Sequence, residues 1–157
     1  MSRQMLFLQK FAFPKASDKP QIPKTGQIFG RHMLERGYGR IINIASLSTF
    51  VSLFVVAAYS ASKAAAALTK SLAVDWASGG VNVNAIAPGV FKTDLNRNLL
   101  EETERGKEVQ IHTPMKRFGK VEEFAGAAVF FASDAASFVT VEIIVVDNGF
   151  LAGGVNQ

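Results

Sequence analysis

Three segments between Arg40 and Gly89 decide the fold: RIINIAS (residues 40–46), AAYSASKAAAALTKSLAVDWA (57–77) and VNVNAIAPG (81–89). The first and third are short, β-branched, apolar runs, the pattern of strands buried on both faces. The middle segment is rich in strong helix formers and stops at Gly79-Gly80, a helix followed by its glycine terminator. Strand, helix and strand in that order predict a parallel sheet covered by helices on both faces.

Working outward, QIFGRHMLERG (27–37) predicts a helix ending at Gly37. Ile28, Met33 and Leu34 form its apolar side, while Arg31, Glu35 and Arg36 are solvated. Downstream, Asp94 to Ile111 is polar and helical, Val121 to Ser133 is an amphipathic helix, and Glu142 to Val146 is a third strand. Residues 1–26 differ, with Pro14, Pro20 and Pro23 and no sustained period. They read as a disordered basic leader before a folded part spanning 27–157. The Met5–Leu8 run is too short for a secretory core and lacks a cleavage site. The basic, acid-poor leader leaves an organellar presequence as the alternative to a cytoplasmic location.

Composition narrows the function classes. The chain has 157 residues, no cysteine and a net charge of +4. Without cysteine there is no disulfide framework and no thiolate metal site. The most apolar stretch, Phe50 to Tyr59, is interrupted by Ser52 and is too short to span a bilayer. Residues 1–40 carry a net charge of +6 and the remainder −2. The basic excess therefore belongs to the first quarter, and a nucleic-acid face through the fold is not expected. His32 and His112 lack ligand-like spacing, and Glu101, Glu102, Glu104 and Glu108 read as a solvated helix face, so no metal site is expected.

Tyr59 and Lys63 stand at i and i+4 and share a helix face. A nearby ammonium favours the phenolate and draws a phenol's pKa down from near 10 toward the range of a general acid/base. Ser46 ends the first strand, and ligands gather at the carboxyl ends of open parallel sheets. Its hydroxyl could hold a carbonyl or alcohol oxygen beside Tyr59. A Tyr-x-x-x-Lys spacing alone fits an ordinary surface pair; its position after Asn43-Ile-Ala-Ser46 gives it weight.

These motifs together resemble the short-chain dehydrogenase/reductase family, in wording nearest its gluconate 5-dehydrogenase and deoxygluconate dehydrogenase type. The serine, the Tyr-x-x-x-Lys, the strand leading to Pro88-Gly89, and Thr93 follow in the family's order. The Arg117-Phe-Gly119 turn, the Glu123 helix and the Asp147 turn match further on. The resemblance implies a Rossmann-like three-layer fold with three recognisable parallel strands, and hydride transfer between NAD or NADP and an alcohol or carbonyl, a sugar acid such as gluconate being favoured. It implies Tyr59 as acid/base, Lys63 lowering the Tyr59 pKa and holding the nicotinamide ribose, and Ser46 orienting the substrate oxygen. Pro88, Gly89, Val90 and Thr93 would line the nicotinamide, and the segment after Thr93 would cover the substrate. A homo-oligomer is expected as well.

The pattern also has gaps. The glycine-rich turn that receives a dinucleotide pyrophosphate has only an imitation in Thr25-Gly26-Gln-Ile-Phe-Gly30-Arg-His32. That segment fits better as the helix before the Ser46 strand. The expectation is thus a truncated domain whose cofactor-binding half is missing and whose first strand has an open edge. The competing expectation is an inactive remnant serving as an oligomerisation module. Val141 and Asn148 stand where the family usually has glycine. Asparagine can adopt a left-handed conformation, whereas a positive φ at Val141 would be strained by about 1–3 kcal/mol. Together the two departures suggest relaxed constraint or an altered local turn.

Overall fold

The computed structural model describes residues 6–9, 24–51, 65–94 and 96–153. Its sheet has four parallel strands in the spatial order β1 (Leu6–Gln9), β2 (Gly39–Ile44), β3 (Val81–Pro88) and β4 (Ile143–Val146). Helix α1 (Lys24–Arg36) joins β1 to β2, and α2 (Ala65–Trp76) lies between β2 and β3. Helices α3 (Arg97–Glu101), α4 (Glu104–His112) and α5 (Val121–Ala132) separate β3 from β4.

The three expected strands are β2, β3 and β4. The fourth, β1, lies inside the segment read as a disordered leader, and α1 begins at Lys24, also within it. For Leu6–Gln9 and from Lys24 onward that expectation is corrected. The predicted open edge is corrected too, because β1 pairs with β2 from Leu6↔Arg40 to Gln9↔Asn43. Four residues carry no period of their own; such a strand is specified by the backbone groups of its neighbour, which sequence patterning does not show.

Alternation along the strands builds two cores. On one face Ile41, Val81 and Val83 pack with Met33 of α1 and Leu72 and Ala73 of α2. Nearer the carboxyl ends this face narrows to Ala45, Ala85 and Ala87, against Ala65 at the start of α2. On the other face Ile42 and Ile86 pack beneath Phe131 of α5, with Phe124 and Ile144 alongside. The helix α1 ends as expected at Gly37 (φ 65). Gly37 N–H donates to Leu34 O at 3.1 Å and Tyr38 N–H to Met33 O at 3.2 Å, the paired bonds of a Schellman terminus.

The glycine-rich imitation lies within α1, as the sequence suggested. A Cβ on Gly30 would stand 2.3 Å from Cη2 of Trp76, so this glycine seats the indole of α2. The segment between α5 and β4 is riveted to β3. Asn82 Nδ2 donates to the carbonyls of Ala136, Ser137 and Val139. Asn84 Nδ2 donates to Val139 O at 2.9 Å, while its Oδ1 accepts from Glu142 N–H at 3.0 Å. Val141 stands between them at φ 71, and Asn148 at φ 58. The turns that glycine usually serves are therefore kept, not altered. For a β-branched residue this region is strained by about 1–3 kcal/mol, whereas asparagine tolerates it.

Candidate active site at the carboxyl ends of two parallel strands

The register pairs Ile44 with Ile86, so Ser46 and Pro88 leave the sheet side by side, two residues further on. The ladder extends one step past β2, with Ala45 N–H donating to Ile86 O at 2.8 Å. Ser46 is buried, with extended backbone, and its Oγ accepts from Ser48 N–H at 3.3 Å as the chain enters a 3-10 turn over Leu47–Thr49. That bond uses the oxygen as an acceptor and leaves the hydroxyl proton available to another oxygen.

Tyr59 and Lys63 lie outside the described residues, and the long helix is described only from Ala65. Its first turn is fixed to β2 by residues that the sequence reading did not single out. Asn43 Nδ2 donates to Thr69 Oγ1 at 2.8 Å, and Thr69 Oγ1 donates to Ala65 O at 2.6 Å. Asn43 and Thr69 are both fully buried. The signal was an asparagine inside an apolar strand, since a buried amide needs a partner. The consequence is positional: the helix that follows Lys63 is anchored three residues before Ser46.

The second strand's exit is equally constrained. Gly89 N–H donates to Val146 O at 2.8 Å, and a Cβ on Gly89 would stand 2.5 Å from the Cα of Asp147. Backbone at that distance cannot yield as a side chain can, so only glycine fits. The Asp147 carboxylate caps the turn behind it, accepting from Gly149 N–H at 2.9 Å and Leu151 N–H at 2.7 Å. Val90 O accepts from Gly119 N–H at 3.0 Å. Asn96 pins the loop at Thr93: its Oδ1 accepts from Thr93 N–H at 2.7 Å and its Nδ2 donates to Phe91 O at 2.8 Å. Asn96 is another residue that the sequence reading passed over. Beyond it α3 and α4 form an exposed pair, tied back to the loop by the Lys92–Glu101 ion pair.

The loop returns through a charged hinge. Arg117 donates to Glu123 through two nitrogens at 2.8 and 2.7 Å, and Glu123 also accepts from Lys120 N–H at 2.8 Å. These bonds hold the Glu123 carboxyl down at about 2, from an ordinary 4.5. Phe91 meets Phe124 edge to face, with ring centroids 6.0 Å apart, which joins the Thr93 loop to α5.

A nicotinamide cofactor can be tested against these residues. At the nicotinamide end the fit is good: Pro88, Gly89, Val90 and Thr93 form one half-buried loop, held on its far side by Asp147, Gly119 and Asn96. Toward the pyrophosphate it is not. Among the described residues no glycine-rich turn links a strand to a helix N-terminus, and Gly30 is occupied by Trp76. Also among the described residues, no group of three His, Asp or Glu side chains could hold a metal ion, and no helix is long and apolar enough to cross a membrane.

Comparison with known proteins agrees with this architecture. Residues 25–151 match the family described as Enoyl-(Acyl carrier protein) reductase, of short-chain dehydrogenase/reductase type. The chain is 46% identical over 127 residues to 2-dehydro-3-deoxy-D-gluconate 5-dehydrogenase of Bacillus subtilis, covering 80% of this chain and 50% of that protein. It is 46% identical over 129 residues to the galactitol 2-dehydrogenase of Cereibacter sphaeroides, covering 80% and 51%. The gluconate 5-dehydrogenase of Burkholderia cenocepacia J2315, solved in complex with NADP and tartrate, superposes with a TM-score of 0.78 at 40% identity, covering 82% of this chain and 51% of that one. The chain thus spans about half the length of the relatives it matches. From its fold, its strand-end loops and these matches, the chain belongs to the short-chain dehydrogenase/reductase family.

Proposed function

We propose that this chain carries the acid/base and nicotinamide-facing part of an NAD(P)-dependent oxidoreductase acting on a polyhydroxylated carbon chain, with a sugar acid such as gluconate as the favoured substrate. The observation that carries this reading is the pairing of β2 with β3. It sets Ser46 beside the Pro88–Thr93 loop at one end of the sheet. The relatives' names supply the substrate class, since deoxygluconate derivatives, gluconate and galactitol all bear hydroxylated chains.

In this reading the Ser46 hydroxyl donates to the oxygen on the reacting carbon and fixes its direction. Tyr59 exchanges a proton with that same oxygen, taking it during alcohol oxidation and returning it during carbonyl reduction. Lys63, four residues on in the sequence, stabilises the phenolate so that this exchange proceeds near neutral pH. Pro88, Gly89, Val90 and Thr93 face the nicotinamide, which when bound accepts or supplies the hydride. Asn43 and Thr69 position the helix that follows Lys63. We place the chain in the cytoplasm and expect it to self-associate through the apolar outer side of α5, where Val129 is 65% exposed, and the adjoining edge of β4.

The test is a titration with NADH and NADPH followed by calorimetry, paired with turnover of gluconate. Binding tighter than millimolar, with turnover that falls about a thousandfold in Tyr59→Phe, supports the oxidoreductase. Absence of binding to either cofactor favours the rival reading, an inactive oligomerisation module.

A further inference from the structure

Of the chain's asparagines only Asn148 is followed by glycine. That dipeptide is chemically fragile. Asparagine is a thermolabile residue, and a glycine after it has no side chain to shield the backbone nitrogen that attacks the amide. Asn148 is half-buried, within reach of water. It also sits in a tight turn: Asn148 stands at φ 58 and Gly149 at φ 83, and Phe150 N–H donates to Asp147 O at 3.2 Å, a type I′ turn. Both reacting groups are engaged there. Gly149 N–H donates to the Asp147 carboxylate at 2.9 Å, and Asn148 Nδ2 donates to Arg117 O at 3.1 Å.

We propose that Asn148 is a site of self-modification by deamidation, with the hydrogen bonds of the turn setting its rate. When the turn opens, Gly149 N bonds to Asn148 Cγ and gives up its proton to water. The bond from Cγ to Nδ2 breaks, and the nitrogen takes a proton from water and leaves as ammonia. Water then opens the cyclic imide at either carbonyl, giving aspartate or the isomer whose main chain runs through the side-chain carbon. Neither product can rebuild the turn. A carboxylate at 148 has no proton to donate to Arg117 O, and it puts a second negative charge beside Asp147. The isomer also adds a carbon to the main chain between Asp147 O and Phe150 N–H. A shift of Asp147 reaches the sheet end directly, because a Cβ on Gly89 would stand 2.5 Å from the Cα of Asp147 and Gly89 N–H donates to Val146 O at 2.8 Å. Deamidation of the turn thus loosens the loop that begins at Gly89.

The test is incubation of the full chain in mildly alkaline buffer, followed by tryptic digestion and mass spectrometry of the peptide that begins at Val121. Asn98, exposed and followed by Leu99, is the internal reference. Conversion of Asn148 is expected to outpace that of Asn98, and to run about fivefold more slowly in the folded chain than in urea. Asp147→Ala, which frees Gly149 N–H, should remove most of that protection. Asn148→Gly keeps the positive φ and should stay unmodified. Hydrogen exchange at Gly89 N–H should be about fivefold faster in the converted chain than in the fresh one. Conversion of Asn148 no faster than that of Asn98 in the folded chain would overturn the site. Equal rates in buffer and urea would overturn control by the turn, and unchanged exchange at Gly89 would overturn its coupling to the loop.

Discussion

The two ends of β3 treat their polar groups in opposite ways. At the amino end Asn82, Asn84 and Thr140 are spent on the protein itself. Asn82 bonds three carbonyls, Asn84 uses both its donor and its acceptor, and Thr140 Oγ1 accepts from Val83 N–H at 3.1 Å. At the carboxyl end, across the pair with β2, the side-chain hydroxyls of Ser48 and Thr49 have no hydrogen-bond partner among the described residues, and Ser46 Oγ accepts from Ser48 N–H. The carboxyl end is not open throughout, since Asn96 and Asp147 close their own turns there, and the contrast is confined to the turn after Ser46.

Breaking the closed end should have the largest effect on stability. Asn84 is 1% exposed, and Asn84→Ala would remove the acceptor of the Glu142 N–H and leave the Val139 carbonyl with Asn82 alone as its side-chain donor. A loss of about 2–4 kcal/mol is expected, read from urea unfolding. The contrast with Ser48→Ala, which removes a buried oxygen without a partner and should raise stability, is the sharpest form of the comparison. If both substitutions destabilise alike, the two ends do not differ in kind.

The closed end was only partly legible in the sequence. Continuous apolar runs identified β2, β3 and β4, and the glycine at 37 with its flanking pattern located the end of α1. Such features arise from residues close in sequence. The Asn82–Asn84 rivets join residues 54 to 58 positions apart, and no local pattern announces them. The strand β1 escaped for the same reason, since its partner is β2. At the carboxyl end the motif residues were legible as chemistry, but the orphaned state of Ser48 and Thr49 is a statement about what surrounds them. Glycine requirements divided likewise: the sequence already placed Gly30 in a helix and not in a phosphate loop, but the Trp76 indole that requires a glycine there is distant in sequence.

Val141 tests the comparison from within the closed end, because its strain is held by the bonds around it. At φ 71, with its N–H donating to Val83 O at 2.9 Å, the residue is fixed in a conformation suited to glycine. Val141→Gly relieves about 1–3 kcal/mol of strain. It gives up some half-buried contact against the Met33–Leu72 core and adds about 0.5–1 kcal/mol of chain entropy. A net gain of about 1 kcal/mol is expected. Val141→Ala loses the same packing but keeps a Cβ, so it should be less stable than the glycine variant. Reversal of that order in thermal unfolding would show that the backbone there is not under strain.

The smallest effect belongs to Glu123, and it separates buried neutral rivets from exposed charged ones. Its carboxyl is held at about 2, against an ordinary 4.5, first by the side-chain bonds from Arg117 and then by Lys120 N–H. A carboxyl bound more weakly by protons in the folded chain adds stability above the ordinary value, and that stability is lost as pH falls through about 2. Tm should therefore decline between pH 4.5 and 2, and Glu123→Gln should flatten the decline over that window. The pair is open to solvent, where screening keeps such bonds weak, so added salt should shrink the difference between the two proteins. The Asn84 rivet contains no charge and should show neither the pH dependence nor the salt dependence. If salt moved both variants equally, the hinge and the rivet would be held by the same kind of force.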